Sequence, residues 1–221
     1  MAITVAQKLT FFQTGGTSLL CGPFTVSRGN RLVIVHTANT ADANVTGPGT
    51  FQQYVVVDGP IGGSTIGQWT KRTDGTDTAF SFLYGVSCTS ACILYELHGA
   101  GMASDVVATS IQDRQSTASG SGVTSFTCTN ASANIYPDDI IIMGIGVGNT
   151  TGALVSMTGG ISDDTSGGIN GPRFFCGSGV LSAIQTTSCT ITWTTARSCC
   201  ACLATLRSNA LDIALPIITP S

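Results

Sequence analysis

The residues that usually cover the surface of a helix are nearly missing from this chain of 221 residues: it has one glutamate, Glu96, and two lysines, Lys8 and Lys71. Threonine, valine, isoleucine and aromatic residues instead fill short runs, and these residue types favour strands over helices. Clusters of glycine and asparagine separate the runs, as expected for tight turns. The sequence therefore predicts an all-β fold.

Twelve runs have the length and composition of strands, which fits an antiparallel β-sandwich of one domain over residues 1–210. The predicted strands are Ile3–Gln13, Arg31–Thr37, Phe51–Val57, Gly67–Arg72, Phe80–Tyr84, Ile93–His98, Val123–Thr129, Ile140–Val147, Leu154–Thr158, Val180–Gln185, Thr190–Thr194 and Ala201–Arg207. The segment Ser116–Gly122 has a flexible composition and is either a sandwich loop or a boundary between two halves. Residues 211–221 are apolar and contain two prolines, which predicts either an edge strand or an arm laid over a neighbouring subunit.

Hydrophobic periodicity separates two kinds of strand. Apolar and polar residues alternate over Ser125–Cys128 and Thr190–Thr194, so these strands are expected to bury one face only. Ile140–Met143 and Tyr54–Val57 are instead continuous apolar runs, which indicates a strand covered on both faces. The second kind belongs at the centre of the fold or beneath a partner.

The chain carries little charge. Charged residues make up 10% of it and the formal net charge is −3, with Lys71 and Arg72 as the only adjacent basic pair. This distribution argues against nucleic-acid binding, which needs a basic surface. A surface of hydroxyl groups favours contact with other protein. The sequence lacks a secretory signal and a membrane-length apolar run, so we expect synthesis in the cytosol and no membrane partner.

Six features in sequence order carry a resemblance to a known class of proteins: Arg28–Val35, Gly67–Thr70, Phe80–Tyr84, Ile93–Gly99, Asp139–Met143 and Thr190–Thr194. Together they resemble the jelly-roll domains of virion proteins of tailed bacteriophages. The resemblance implies a jelly-roll-like sandwich and a structural role as a capsid decoration or minor capsid protein. Such proteins also occur in the neck, the collar and the tail.

The nine cysteines are the candidate functional residues. They are Cys21, Cys88, Cys92, Cys128, Cys176, Cys189, Cys199, Cys200 and Cys202. An odd number of thiols cannot all pair within one chain. We treat all nine as disulfide candidates and expect a bond to leave the subunit from one of the last three.

Specific cysteine placements follow from spacing. Cys88 and Cys92 flank a predicted turn, which would bring them within bonding distance. In an extended strand Cys200 and Cys202 share one face, and Cys199 lies on the other. A zinc site of Cys88, Cys92, Cys200 and Cys202 is a weaker alternative because neither spacing is the common one. Burial as small apolar side chains is the competing interpretation, especially for Cys128.

Other clusters have plainer interpretations. Glu96 and His98 share one face of a strand and could form an acid–base pair, but hydrogen bonding across the sheet is the stronger reading. Asp138–Asp139 and Asp163–Asp164 could bind calcium, but turn capping is favoured. We expect no catalytic residue, no metal and no cofactor.

The functional expectation is a virion structural protein. It would form a homo-oligomer, a trimer by preference, contact other virion proteins and be made in the host cytoplasm. The alternative from another class is a carbohydrate- or receptor-binding module, in which Tyr54, Trp69, Tyr84 or Tyr136 would stack on sugar rings.

Overall fold

The computed structural model describes residues 2–39, 45–58, 65–100, 122–129, 137–148, 153–165, 173–183, 188–206 and 208, with backbone alone at 54–58 and 173. Over these residues the chain forms twelve strands and no helix. The strands are β1 (Thr4–Cys21), β2 (Arg31–Ala38), β3 (Gln52–Asp58), β4 (Thr65–Arg72), β5 (Phe80–His98), β6 (Val123–Thr129), β7 (Ile140–Val147), β8 (Leu154–Thr158), β9 (Ser162–Asp163), β10 (Arg173–Val180), β11 (Ser188–Arg197) and β12 (Cys199–Leu206).

The strands form three antiparallel sheets. Residues 4–98 supply a five-stranded sheet in the order β1-β5-β2-β4-β3. The later strands supply a four-stranded sheet, β12-β7-β10-β9, and a three-stranded sheet, β6-β11-β8. The two parts of the chain that flank residues 101–121 therefore build separate sheets.

The sheets stack in layers around separate apolar clusters. The inner cluster, which includes Val35, Ile93 and Ile142, lies between the five-stranded and four-stranded sheets. The outer cluster, which includes Phe175 and Trp193, lies between the four-stranded and three-stranded sheets. Because β7 is central to this stack, its residues alternate between the two clusters and all are buried.

A third apolar cluster covers the remaining face of the five-stranded sheet. The end of β1 pairs with the start of β5, for example Leu19 with Phe82. Phe82 also stacks on the His36 ring of β2 with ring centroids 4.1 Å apart. This β1–β5 ribbon therefore folds back over its own sheet, at a point where the pairing is irregular around Gly15, which has a φ of 60°, and Gly16. We call the buried residues beneath it the ribbon cluster.

The predicted all-β antiparallel sandwich of about twelve strands is confirmed, with three stacked sheets instead of two. The prediction that β7 is covered on both faces is confirmed, as is the one-sided burial of Phe126 and Cys128 on β6. The division of β5 into Phe80–Tyr84 and Ile93–His98 is wrong because its pairing with β1 runs through both. The strand Val180–Gln185 is also wrong, since β10 ends at Val180.

Several predicted features lie outside the described residues. These are the terminal segment 211–221, residues 116–121 of the flexible segment, and the side chains of Tyr54 and Tyr136. Within the described part of the chain, no helix has the length and hydropathy needed to cross a membrane.

Candidate functional site: buried thiols and contacts between sheets

All nine cysteines are buried free thiols in this structure. The fold distributes them over the three apolar clusters. Cys21, Cys88 and Cys92 lie in the ribbon cluster, Cys176, Cys200 and Cys202 in the inner cluster, and Cys128, Cys189 and Cys199 in the outer cluster. Each cluster therefore holds three thiols.

Sγ of Cys21 lies 3.3 Å from Sγ of Cys92. Cys21 ends β1 and pairs in register with Phe80, whereas Cys92 pairs with Phe11. These two cysteines meet only because the ribbon folds back. A disulfide has a sulfur–sulfur bond of about 2 Å, so a small movement would allow this pair to be oxidised.

A second pair, Cys128 and Cys189, lies directly opposite on β6 and β11. Residues opposite each other in an antiparallel pair have Cβ atoms about 4.5–5.5 Å apart. Sγ of Cys189 also lies 3.4 Å from the carbonyl oxygen of Gly159. Within this pair too, the thiols are neighbours without contact to solvent.

The cysteines of β12 confirm the predicted facing. Cys200 and Cys202 point into the inner cluster and Cys199 into the outer one. Cys202 and Cys176 both pair with Gly144 of β7, one from each side. All four thiols are at most 1% exposed, so an interchain bond from β12, which stays a prediction, would require this edge strand to open.

The predicted turn between Cys88 and Cys92 is wrong, because both residues lie inside the continuous strand β5. Four residues of extended strand span about 13 Å, which is too far for a direct disulfide. The alternative zinc site is also excluded as proposed. Cys88 and Cys92 lie on one side of the five-stranded sheet, and Cys200 and Cys202 lie on the other.

Burial also lowers the reactivity of the thiols. Desolvation raises the pKa of Cys88 and Cys189 to about 11 and that of Cys199 to about 12. The pKa values of Cys92, Cys176 and Cys202 are raised further by the same cause. Because the thiolate is the nucleophilic form, these residues act as packed apolar groups at neutral pH.

Glu96 joins a loop to the sheet. Its carboxylate accepts hydrogen bonds from Nε2 of Gln7 at 2.5 Å, the backbone N–H of Ser27 at 2.7 Å and Nδ2 of Asn30 at 2.7 Å. Nδ1 of His98 lies 3.1 Å from Oδ1 of Asn30. The shared face of Glu96 and His98 and the hydrogen bonding across the sheet are as predicted, and the carboxylate's contacts are those of a structural anchor.

Aromatic residues surround His36 in the ribbon cluster. Its Nε2 lies 2.8 Å from Oη of Tyr84, and its ring stacks on Phe82 and meets the Trp69 ring edge to face. Trp69 and Tyr84 are 1% and 6% exposed. They are therefore core residues and cannot stack on a sugar, which removes two of the four aromatic residues that favoured a carbohydrate-binding module.

The paired aspartates have structural roles. Oδ1 of Asp163 accepts hydrogen bonds from the backbone N–H of Thr165 at 2.8 Å and from its hydroxyl at 2.7 Å, which is the predicted turn capping. Oδ1 of Asp139 accepts the backbone N–H of Ser208 at 3.0 Å. Asp164 behaves differently, because its carboxylate turns inward.

Four polar side chains meet at the junction of the five-stranded and four-stranded sheets. Lys8 of β1 forms an ion pair with Asp164, which follows β9. Oη of Tyr95 donates a hydrogen bond to Oδ2 of Asp164 at 2.8 Å and lies 3.0 Å from Sγ of Cys176. Sequence reasoning missed this group, here called the junction cluster, because residues 8 and 164 are far apart in the chain and share no motif.

The outer face of the three-stranded sheet is lined with hydroxyl groups. Oγ1 of Thr127 lies 2.7 Å from Oγ1 of Thr190, and Oγ1 of Thr129 lies 2.8 Å from Oγ of Ser188. The large apolar side chains that are exposed lie mainly on the β1–β5 ribbon. These are Phe12, Leu20, Leu83 and Val86, with Val155 on β8 and Val180 at the end of β10 elsewhere.

Comparison of the chain with protein-family models, curated proteins and solved structures found no match.

Proposed function

We propose that this chain is a structural protein of a bacteriophage virion, a capsid decoration or minor capsid protein that reinforces the particle through contacts between subunits. The resemblance of its ordered strand motifs to such proteins supports the virion assignment. The protein would act by contact alone: the stacked sheets would provide a rigid body, and a surface with few charges would pack against neighbouring subunits.

The observation that carries the proposal is the outward face of the β1–β5 ribbon. Leu20 is 69% exposed and Leu83 is 53% exposed. Leu20 pairs with Ser81 and Leu83 pairs with Ser18, so the two leucines are diagonal neighbours on one face. Adjacent exposed apolar side chains on a chain with 10% charged residues fit a surface that is covered in an assembly.

Strands at the edges of the sheets support the same role. The five-stranded sheet ends in β1 and β3, and the four-stranded sheet ends in β12 and the two-residue strand β9. Edge strands can pair with another chain unless something covers or shortens them. We call the outward face of the ribbon that carries Leu20 and Leu83 the leucine face. A cyclic oligomer, a trimer by preference, would cover these edge strands and the leucine face together.

Besides the interchain bond predicted for β12, disulfide bonds can form within the subunit in this proposal. Two pairs of neighbouring cysteines, Cys21 with Cys92 and Cys128 with Cys189, join parts of one chain. Bonds of this kind would form only where the particle meets oxidising surroundings. They would harden each subunit without changing its contacts.

The proposal is tested on particles. Bacteriophage particles from the source of this sequence are purified by density gradient, and their proteins are quantified by mass spectrometry. We expect the chain at many copies per particle, and imaging of the same particles then shows whether it lies on the head, neck or tail. Its presence in the lysate with its absence from the particles would contradict the proposal.

A further inference from the structure

The junction cluster brings together the groups needed to form an amide bond between side chains. Nζ of Lys8 contacts Oδ1 of Asp164, so a nucleophilic nitrogen lies beside a carboxyl carbon. The side chain of Asp164 is 1% exposed, whereas that of Lys8 is 38% exposed. The carboxyl group is therefore shielded from bulk water, and the lysine side remains open for a small molecule to leave.

We propose that Lys8 and Asp164 condense into an isopeptide bond that covalently joins β1 to the segment after β9. The bond would link Nζ of Lys8 to Cγ of Asp164. It needs no metal, cofactor or oxidant, and one water molecule is the only other product.

The reaction balances from the ion pair. A proton passes from the ammonium group to Oδ1, which leaves a neutral amine and a carboxylic acid. The nitrogen lone pair then attacks Cγ to form a tetrahedral intermediate. A second proton moves from nitrogen to Oδ1, the Cγ–Oδ1 bond breaks, and Oδ1 departs as water while the amide forms.

Tyr95 is placed to assist the attack. Its hydroxyl donates to Oδ2, the carboxyl oxygen on which negative charge develops in the tetrahedral intermediate. Burial raises the pKa of Tyr95 well above its ordinary value, so the hydroxyl keeps its proton and remains a donor. Sγ of Cys176 lies 3.0 Å from the same hydroxyl oxygen.

Fixed proximity supplies the remaining driving force. Well-oriented groups within one molecule can reach effective concentrations of about 10⁵–10⁸ M, which offsets the low reactivity of a carboxyl group towards an amine in water. The condensation also removes the charge of a carboxylate whose side chain is 1% exposed, together with that of its half-exposed lysine partner. The product would tie the edge strand β1 of one sheet to the neighbouring sheet.

The other lysine of the chain supplies a matched control. Lys71 forms an ion pair with Asp77 at 2.5 Å, across a tight turn at the end of β4. The Asp77 side chain is 13% exposed, and its second oxygen accepts a hydrogen bond from Thr73 instead of a buried tyrosine. We expect this pair to remain an ordinary ion pair.

Peptide mapping by mass spectrometry tests the bond on the folded, reduced and alkylated full chain. Trypsin cuts after Lys8 if that side chain is free. The proposal predicts no such cut and a branched peptide joining residues 1–28 to residues 115–173, with a mass one water lower than the sum of its parts. Complete cleavage after Lys8, with no branched peptide, would overturn it.

Three variants make the result specific. Lys8→Arg keeps the charge but removes the amine, and it should abolish the loss of water, whereas Lys71→Arg should leave it unchanged. Tyr95→Phe should lower the linked fraction, since loss of a donor to a developing oxyanion slows such reactions about 100-fold or more. A loss of water that persists in Lys8→Arg would show dehydration of an aspartate alone and would also overturn the proposal.

Discussion

At the scale of single residues, the lowered pKa of His36 has a measurable effect on stability. It is completely buried among aromatic rings, and desolvation lowers its pKa from 6.5 to about 3. Nδ1 has no hydrogen-bond partner among the described residues. Protonation would therefore bury a charge on a ring whose Nδ1–H has no acceptor, so the folded protein holds His36 neutral.

This lowered pKa predicts that stability falls in acid. The unfolded chain takes up a proton at His36 below about pH 6.5 and the folded chain does not, so stability is full above that pH and is lost as the pH falls towards 3. The loss is about 1.4 kcal/mol per pH unit. Between about pH 7 and pH 5 the wild type should therefore lose about 2 kcal/mol more than His36→Gln, measured by urea unfolding. Equal losses in the two proteins would contradict the neutral, buried histidine.

The sequence allowed only part of the residue-level description. Side chains of an extended strand point alternately to its two faces, and this alternation alone places Cys200 and Cys202 on one face and Cys199 on the other. It could not pair Cys21 with Cys92, since their contact depends on how the ribbon folds back. The contact between Lys8 and Asp164 likewise depends on tertiary structure. The two residues belong to different sheets, and no local sequence pattern predicts their contact.

At the scale of elements, β7 is tightly constrained because it packs against sheets on both faces. Gly144 lies opposite Cys176 on one side and Cys202 on the other. A Cβ atom at this position would lie 2.3 Å from Cγ1 of Val35 in the five-stranded sheet. The glycine therefore allows the two sheets to approach.

Gly144→Ala should destabilise the protein by about 1–3 kcal/mol, the usual cost of forcing extra volume into a packed core. Gly49→Ala is the matched control, since no atom lies within 4 Å of a Cβ there and its φ is not positive. Urea unfolding of both variants measures the difference. A Gly144→Ala protein as stable as Gly49→Ala would show that the sheets are further apart than described.

Element boundaries show where local sequence reasoning fails. The sequence predicts a turn between Cys88 and Cys92, between the separate strands Phe80–Tyr84 and Ile93–His98. The chain nevertheless runs through as β5, since its neighbour β1 continues to pair with it on both sides of the irregularity at Gly16. Pairing with a distant strand outweighed the local preference, as is usual for strands.

At the scale of the whole molecule, the fold combines a heavily buried interior with a chain that has only 10% charged residues. The composition predicted this character correctly, because so few charged residues cannot cover a surface of this size. The number of sheets and the ribbon that folds over the first of them were not predictable. Both arise from contacts between residues far apart in the chain.

The central claim is that the leucine face of the β1–β5 ribbon holds subunits together, and sedimentation velocity over a range of concentrations tests it. We expect the wild type to form an oligomer and the double variant Leu20→Ser/Leu83→Ser to dissociate at concentrations at least ten times higher. Burying a leucine contributes about 1.5–3 kcal/mol, and 1.4 kcal/mol is a tenfold change in affinity.

Val155→Ser is the control, because Val155 is 59% exposed but lies on β8 in the three-stranded sheet. It should sediment like the wild type, and at concentrations low enough for all three proteins to be monomers they should unfold at similar urea concentrations. A wild type that remains monomeric at every concentration, or a double variant that associates as strongly as the wild type, would contradict the account.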